Sequence, residues 1–338
     1  MTKYKRYLII ALFSTFFYFI ILSPIAICQP SEFRRVVIIG DDYSEEFQNI
    51  SDAIQYAIGG STIYVESGIF IENIVIDKPI RLIGNNNSII DGSGRDYVFL
   101  IESCCVEISN IAIRNATFGI YAKKSNIIIK NNLFSNNSNG IFLNNLSYKN
   151  IIKNNYFISN SEAINLYNSS NNNITGNHFD KNSFFSLKLI EGSKNNVIFN
   201  NTILSGKNGI ILSRWSNNNS IFHNNITTDS WGIGISCEHS FFINIQENYF
   251  TNWTYAIKIM KCDNIILKNN SFIKNNVGVF LSDDNLNITY NNNYFFENIE
   301  DIKTESKPPL IKTPSFEITI LIVVAFAVLL VFFFKPKK

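Results

Sequence analysis

The central part of the chain repeats one pattern of apolar and polar positions about every 23 residues. An apolar residue is followed by a variable residue, usually two asparagines, another variable residue and a second apolar residue, as in 129–134 (IKNNLF) and 152–157 (IKNNYF). Apolar and polar positions alternate locally with a period of two, which is typical of β-strands. A repeat of this length is too short for the helical repeat families and indicates coils that stack into a solenoid.

A second pattern runs in phase with the first and consists of a small residue, isoleucine or valine, a variable residue and an aliphatic residue. It occurs at 140–143 (GIFL), 163–166 (AINL), 209–212 (GIIL), 232–235 (GIGI) and 256–259 (AIKI). We expect its small residues to allow a sharp turn into the next strand. Two patterns with one period predict an all-β fold, a single-stranded parallel β-helix with about 23 residues in each coil.

The second asparagine of each unit is predicted to form a buried ladder. Stacked coils lie about 4.8 Å apart, so equivalent residues form columns along the axis. Asparagine side chains in such a column bond to one another, and the apolar column at 134, 157, 179 and 203 stacks beside them in the core. The predicted ladder consists of Asn132, Asn155, Asn177, Asn201, Asn225, Asn248, Asn270 and Asn293.

The residues before the regular repeats differ in detail. Residues 46–58 place isoleucine and alanine on one face, as a short amphipathic helix does. Short apolar runs follow at 62–65, 69–71, 74–76 and 80–83. Because an open solenoid end needs a cap, we expect this helix to close the N-terminal end of a β-helix that spans residues 36–300.

Residues 50–94 resemble the opening of the right-handed parallel β-helix proteins of the NosD-like, carbohydrate-binding and sugar-hydrolase repeat group, which have a pectin-lyase-like fold. The resemblance is carried by Ala53-Ile54, Gly60-x-Thr62-Ile63-x-Val65, Gly68, Glu72-Asn73 and Leu82-Ile83-Gly84. It continues through the later repeats and covers about residues 47–300. It implies a right-handed helix and leaves the activity open, because the group includes hydrolases, lyases, binding proteins and copper-insertion accessories.

Both ends of the chain have the composition of membrane segments. Lys3, Lys5 and Arg6 precede an apolar run at 7–22, so residues 1–28 are predicted to be a signal peptide or an uncleaved signal anchor. Residues 318–334 carry no charge and are followed by lysines. We therefore predict a linker at 301–315, a transmembrane helix at 316–334 and a cytoplasmic basic tail at 335–338. The protein would lie at the cell membrane with its ectodomain outside the cell, and its tail resembles archaeal surface-protein sorting tails.

The net charge of +2 reflects these ends. Six of the 29 basic residues lie in the two tails, which leaves 23 basic against 27 acidic residues for the rest of the chain. A nucleic-acid partner is therefore not expected, since it would need a basic patch on the folded part. The expected partners are the membrane and a glycan or cell-wall polymer. Asparagine sequons at turn positions such as Asn145, Asn168 and Asn218 are candidate glycosylation sites.

The variable residue of the second pattern is predicted to form an exposed column on one strand face. The column is predicted to include Gly234 in one coil and contains no acidic residue. The absence of acidic residues from the column argues against a paired-carboxylate active site there. Aromatic rings, amides and amines suit sugar binding. The candidate binding residues in this column are Tyr121, Phe142, Asn165, Lys188, Lys258 and Phe280.

A charged column lies five residues past each small residue. Glu191, Arg214, Lys261 and Asp283 belong to it, Cys237 fills one step, and Trp215 lies beside Arg214. These residues form either a polar cleft or a solvated row of partly paired side chains.

Cysteine and histidine give weaker signals. Cys237 and Cys262 are about one coil apart and are a candidate disulfide outside the cell. His178, His223 and His239 do not share a repeat position, so neither a metal site nor another cofactor is expected.

These observations predict a membrane-anchored extracellular β-helix surface protein that binds carbohydrate or has a structural or adhesive role without catalysis. Two alternatives stay open. One is a polysaccharide lyase or glycoside hydrolase of pectin-lyase-like fold, with its acids on the long turns or in the first coils. The other is a NosD-like accessory protein for copper insertion.

Overall fold

The computed structural model describes residues 36–40, 43–85 and 87–305, and these form a parallel β-solenoid of about ten coils with one short helix. No helix in these ranges is long and apolar enough to cross a membrane. The predicted segments 1–28, 316–334 and 335–338 lie outside the described residues. The last described strand ends at Thr304, so the β-helix continues past the predicted boundary at residue 300.

The N-terminal end carries the predicted helix and an antiparallel hairpin. The helix α1 (Ile50–Tyr56) buries Ile50, Ala53 and Ile54. Strands β1 (Val36–Gly40) and β2 (Tyr43–Phe47) pair antiparallel, and β1 also pairs antiparallel with the first coil. This pairing covers the edge of the first coil, which removes unpaired backbone groups at that end.

Each regular coil contributes a strand to three faces, which we call faces A, B and C. Face A consists of β3 (Thr62–Val65), β6 (Arg81–Gly84), β9 (Glu107–Ser109), β12 (Ile128–Lys130), β15 (Ile151–Lys153), β18 (Asn173–Thr175), β20 (Val197–Phe199), β22 (Ser220–Phe222), β25 (Asn244–Gln246), β28 (Asp263–Lys268) and β31 (Leu286–Asn291). Face B consists of β4 (Gly68–Phe70), β7 (Ser88–Asp91), β10 (Ala112–Arg114), β13 (Leu133–Ser135), β16 (Tyr156–Ile158), β23 (Asn225–Thr227), β26 (Tyr249–Thr251), β29 (Ser271–Ile273) and β32 (Tyr294–Phe296). Face C consists of β5 (Ile74–Ile76), β8 (Tyr97–Ile101), β11 (Phe118–Ala122), β14 (Asn139–Asn144), β17 (Glu162–Tyr167), β24 (Ile233–Glu238), β27 (Tyr255–Met260), β30 (Val277–Leu281) and β33 (Glu300–Thr304). Two long strands, β19 (His178–Ile190) and β21 (Thr202–Ser213), continue from face B into face C.

The asparagine pairs of the repeat have two different structural roles. The first residue of the pair adopts a left-handed backbone, as at Asn131 (φ 56°) and Asn154 (φ 55°), which asparagine tolerates better than most residues. The second points inward, and its side-chain oxygen accepts hydrogen bonds from the backbone N–H and the amide of the ladder asparagine in the preceding coil, at 2.9–3.1 Å. The ladder consists of Asn132, Asn155, Asn177, Asn201, Asn224, Asn248, Asn270 and Asn293.

One predicted member of the ladder is wrong. Asn225 is exposed on β23, and the buried Asn224 takes its place. His223 carries the left-handed backbone (φ 55°) that the first residue of the pair has in other coils. The coil is therefore registered one residue earlier than the spacing of the apolar residues suggested.

Two further asparagine ladders occupy the other corners of the coils. One runs through Asn150, Asn172, Asn196 and Asn219, and the other through Asn137, Asn160 and Asn182. All seven side chains are buried. Because the chain bends at these corners between two faces, the ladders provide partners for backbone groups that no strand pairing satisfies.

The small residues of the second pattern allow the backbone to pack closely against the next coil and the core rings. A Cβ at Gly140 would lie 2.6 Å from the carbonyl oxygen of Ala163 and 3.0 Å from the ring of Phe157. The backbone there is not left-handed, so the small residue makes room beside the core rings and does not form the expected turn. Phe134, Phe157 and Phe179 stack in that core with centroids 4.8 and 5.0 Å apart, and Ile203 is buried in the next coil.

Candidate functional site

The outward residues of face C form a continuous column, one residue per coil. Its members are Tyr121, Phe142, Asn165, Lys188, Ile211, Ser236, Lys258 and Phe280. The structure thus places all six predicted binding residues in one row, which we call the outer column. Gly234, predicted for one position of this column, is buried, and Ser236 occupies the outward position.

Three aromatic rings lie side by side at the N-terminal part of the outer column. The centroid of Phe118 is 5.1 Å from that of Tyr121 and 5.3 Å from that of Phe142, and Tyr121 and Phe142 are 5.4 Å apart. The amide of Asn144 donates a hydrogen bond to the Tyr121 hydroxyl at 2.9 Å. These residues form a half-exposed aromatic surface with a polar edge, which we call the aromatic platform.

A polar cluster of Glu162, Asn165 and Lys188 adjoins the platform. Lys188 Nζ lies 2.9 Å from Glu162 Oε1, and the Asn165 amide donates to Glu162 Oε2 at 2.7 Å. Asn165 is only 7% exposed although it points outward, and within the described part of the chain its Oδ1 has no hydrogen-bond partner. A buried acceptor without a partner is unfavourable unless a ligand or water donates to it.

Glu162, the carboxylate at the centre of this cluster, is not among the binding residues predicted from the sequence. Glu162 precedes the small residue Ala163 and is the first outward position of β17. The same position holds Phe118 and Tyr255 in other coils. Period-two alternation alone would place Glu162 inside, because residues three apart lie on opposite faces of a regular strand. The position faces outward because two consecutive residues, Ala163 and Ile164, are both buried.

A second aromatic group lies further along face C. Lys258 Nζ is 5.7 Å from the ring centroid of Tyr255 and 5.6 Å from that of Phe280, and the two rings meet edge to face at 5.5 Å. The outer column therefore carries aromatic groups on both sides of its polar centre.

The turns that follow face C form a cleft around Trp215. Glu191, Ser213, Arg214, Trp215, Glu238 and His239 line it, and its volume is about 640 Å³. Arg214 forms an ion pair with Glu191, and His239 Nδ1 lies 3.5 Å from Glu238 Oε1. The hydrogen bond from Arg214 to Glu191 raises the pKa of the guanidinium above its usual value, so Arg214 stays charged. We call this site the Trp215 cleft.

The charged column predicted from the sequence is only partly assembled. Glu191, Arg214 and Trp215 come together as expected. Lys261 and Asp283 lie on later coils and do not line the Trp215 cleft. Cys237 points into the core, and His239 occupies the turn position in its coil.

Cys237 and Cys262 are close together in the core. Their Sγ atoms lie 3.0 Å apart, both side chains are buried and both are free thiols. The hydrogen bond to Cys262 and burial raise the pKa of Cys237 well above its usual value.

We predict that this pair forms a disulfide when the protein matures in an oxidising compartment. A cross-link across about one coil is expected to stabilise the fold by about 3 kcal/mol. Alkylation of the unfolded, unreduced protein followed by peptide mass spectrometry should find Cys237 and Cys262 linked. The exposed Cys104 and Cys105 serve as the comparison for thiol access. Recovery of both core cysteines as alkylated thiols would contradict the prediction.

The three histidines are dispersed over the molecule. His178 packs against Tyr156 with tilted rings whose centroids are 5.1 Å apart, and burial lowers the pKa of His178 although Asp180 opposes the shift. His223 Nε2 lies 2.7 Å from Glu247 Oε2, and His239 lines the Trp215 cleft. Among the residues that the structure describes, no three His, Cys, Asp or Glu side chains are placed to hold a metal ion.

The sequence profile of a family described as "Periplasmic copper-binding protein (NosD)" matches residues 54–224 and 185–313. No curated protein sequence matches this chain. Copper would need clustered His, Cys or Met ligands. The residues described here do not fit such a site, because the histidines are dispersed and the two close cysteines are buried without a third ligand.

Several solved structures share the fold. PfbA, a surface adhesin of Streptococcus pneumoniae, is 16% identical with a TM-score of 0.57, over 78% of this chain and 91% of that one. Endo-xylogalacturonan hydrolase from Aspergillus tubingensis is 12% identical (TM-score 0.55; 77% and 92%), and alginate lyase from Paenibacillus sp. is 13% identical (TM-score 0.54; 75% and 96%). The chain thus has a right-handed parallel β-helix fold of the pectin-lyase-like type, as the sequence resemblance implied.

Proposed function

The chain belongs to the NosD family, and we propose that its face C binds an extended glycan chain outside the cytoplasm without cleaving it. The family description names the periplasm, which agrees with an ectodomain beyond the cytoplasmic membrane. The uncharged run at 318–334 supports a membrane anchor as part of this proposal. Fractionation of a chain that ends at residue 315 would test the anchor, since such a chain should leave the membrane after signal cleavage.

The observation that carries the proposal is the aromatic platform beside the partly exposed Glu162–Lys188 ion pair. A sugar ring presents apolar C–H faces and a rim of hydroxyl groups. The platform offers a flat surface to the C–H faces, and Lys188 and Glu162 offer a donor and an acceptor to the hydroxyl groups. Both lie in neighbouring coils, because Phe142 pairs in register with Asn165.

The length of face C suits a polymer. Equivalent outward residues recur about every 4.8 Å along the axis. An extended chain that follows the axis therefore meets the aromatic platform, the polar cluster and the Tyr255–Phe280 group in turn. A compact protein partner would instead favour one central hot spot.

The test replaces Tyr121, Phe142 and Lys188 together with alanine. We expect binding to isolated cell wall and to a glycan array to weaken at least about tenfold, which corresponds to about 1.4 kcal/mol. The melting temperature should change by only a few degrees, because these side chains are half-exposed. Release of reducing ends is followed in the same samples, since two of the structural neighbours are named as enzymes.

The matched control replaces Tyr249, Ile266 and Lys268 with alanine. These side chains are exposed on faces A and B. The control variant should bind like the wild type. Unaltered binding by the face C variant would refute the proposed face, and a large loss of stability would mean that the three side chains belong to the core.

A further inference from the structure

We infer that the Trp215 cleft is a second carbohydrate subsite and that it selects a neutral sugar ring over a uronate. This inference rests on the proposed function, because it assigns a ligand class to the turns beside face C. It depends on three features of the cleft, namely an exposed indole, a paired donor and acceptor, and a second carboxylate.

The indole of Trp215 is exposed at a turn of the solenoid. Arg214 and Trp215 are consecutive left-handed residues (φ 54° and 62°), the backbone that Asn145 and Leu146 adopt at the same turn of another coil. Trp215 is 59% exposed. Tryptophan combines a large apolar ring with a polar N–H, which suits a surface that binds a ligand with both apolar and polar groups.

The neighbouring coils leave the indole uncovered. Gly192 N–H donates to the Arg214 carbonyl, and Trp215 N–H donates to the His239 carbonyl, so Gly192 and Ser240 occupy the positions before and after Trp215 in the stack. Neither residue carries a bulky side chain. The ring is therefore available to stack on the face of a sugar, as aromatic side chains do.

The wall of the cleft presents a donor beside an acceptor. The guanidinium of Arg214 donates and the carboxylate of Glu191 accepts. A sugar hydroxyl does both at once, so two adjacent hydroxyls can bond to such a pair. Glu238 and His239 repeat the arrangement on the next coil, with 3.5 Å between His239 Nδ1 and Glu238 Oε1.

The charges of the cleft oppose a uronate. Its permanent cation, Arg214, is already paired with Glu191, and Glu238 adds a second carboxylate to the lining. A sugar carboxylate would have to displace Glu191 and would then lie near two like charges. A neutral sugar ring neither has to displace Glu191 nor is repelled by the carboxylates.

The cleft also continues the proposed binding face. Ser213 ends β21 and Glu238 ends β24, just beyond Ile211 and Ser236 of the outer column. A glycan on face C can therefore place one residue or branch in the cleft. Trp231, which is 80% exposed, lies before the start of β24 in a separate cleft of about 310 Å³ and provides a matched control.

The experiment measures binding of the full chain by calorimetry. The probes are a β-1,4-linked glucose hexasaccharide and a β-1,4-linked mannose hexasaccharide, with a galacturonate hexasaccharide as the acidic comparison. The variants are Trp215→Ala and Glu191→Gln, with Trp231→Ala as the control. We expect Trp215→Ala to weaken binding of a neutral probe at least tenfold and Trp231→Ala to change it less than twofold. Glu191→Gln should raise the affinity for the acidic probe at least fivefold, because it frees Arg214.

The outcomes separate this inference from the proposed function. Neutral binding that survives Trp215→Ala but is lost in the Tyr121, Phe142 and Lys188 variant would overturn the inference and leave face C as the binding surface. Tighter binding of galacturonate to the wild type, lost in Arg214→Gln, would overturn the selection of neutral sugars. Failure of the wild type to bind any probe would overturn both.

Discussion

Replacing Asn224 with alanine is expected to destabilise the β-helix by about 2–6 kcal/mol, because the change leaves two buried donors without an acceptor. Asn224 Oδ1 accepts hydrogen bonds from the backbone N–H and the amide of Asn201 at 2.9 and 3.0 Å. The Asn224 amide in turn donates to Asn248 Oδ1 at 2.9 Å and to the Ile198 carbonyl at 3.0 Å. Alanine would break the ladder between two coils and leave a small cavity in the column.

The adjacent Asn225 provides the matched control. It is exposed on face B and lies outside the ladder. Asn225→Ala should change the free energy of unfolding by less than about 0.5 kcal/mol, as surface substitutions usually do. Urea unfolding of both variants, with slopes compared to confirm that the unfolded states are alike, gives the two values. A larger effect at Asn225 would show that the ladder runs through that residue, and equal effects would contradict the predicted difference between the two positions.

The repeat period was enough to predict the architecture. Each coil has to place its apolar residues inside and its amides in line with those of the next coil. Equivalent residues therefore recur every 22–24 positions in the sequence, where the spacing can be counted. The N-terminal helix was predictable for the same reason, since Ile50, Ala53 and Ile54 repeat on one face. These features depend on local patterns that do not require knowledge of any contact.

The register within one coil was not predictable from that pattern. Around residue 222 the sequence FHNNIT fits the repeat in two frames, which differ by one residue. In one frame Phe222 lies inside; in the observed frame Ile221 pairs with Ile198 and Ile245 in the core, and Phe222 points outward. A one-residue slip moves every side chain of a strand to the other face, so packing against both neighbouring coils determines the register of the strand. The small-residue position of the next coil is ambiguous for a different reason: Gly232 and Gly234 both precede isoleucine, and a shift of two residues keeps the same side chains inside.

The candidate site shows the same limit. The outer column could be predicted because each member occupies one repeat position. The polar cluster could not, because Glu162 and Lys188 meet only when residues 26 apart in sequence come to lie on neighbouring coils at different strand positions. The Trp215 cleft lies at a turn whose left-handed residue recurs in successive coils, at Glu191, Arg214 and His239. The side chains at this turn differ from coil to coil, so the repeat predicts where the turn lies but not which groups meet there.

Replacing Phe157 with alanine is expected to destabilise the protein by about 3–5 kcal/mol, the usual cost of removing a buried aromatic ring. Phe157 is fully buried and stacks between Phe134 and Phe179 with interplanar angles of 7° and 10°. Its removal leaves a cavity that the neighbours cannot fill, because each is fixed by the strand pairing of its own coil. Coils in a solenoid contact only their neighbours, so the loss falls on two coil interfaces and can uncouple the two halves of the stack.

The control is Phe142→Ala on face C, where the side chain is partly exposed. Its expected cost is below about 1 kcal/mol. Thermal unfolding followed by circular dichroism should show a lower melting temperature for Phe157→Ala, with a broader or two-step transition. A single transition with an unchanged midpoint would contradict the view that this ring column joins the coils into one cooperative unit.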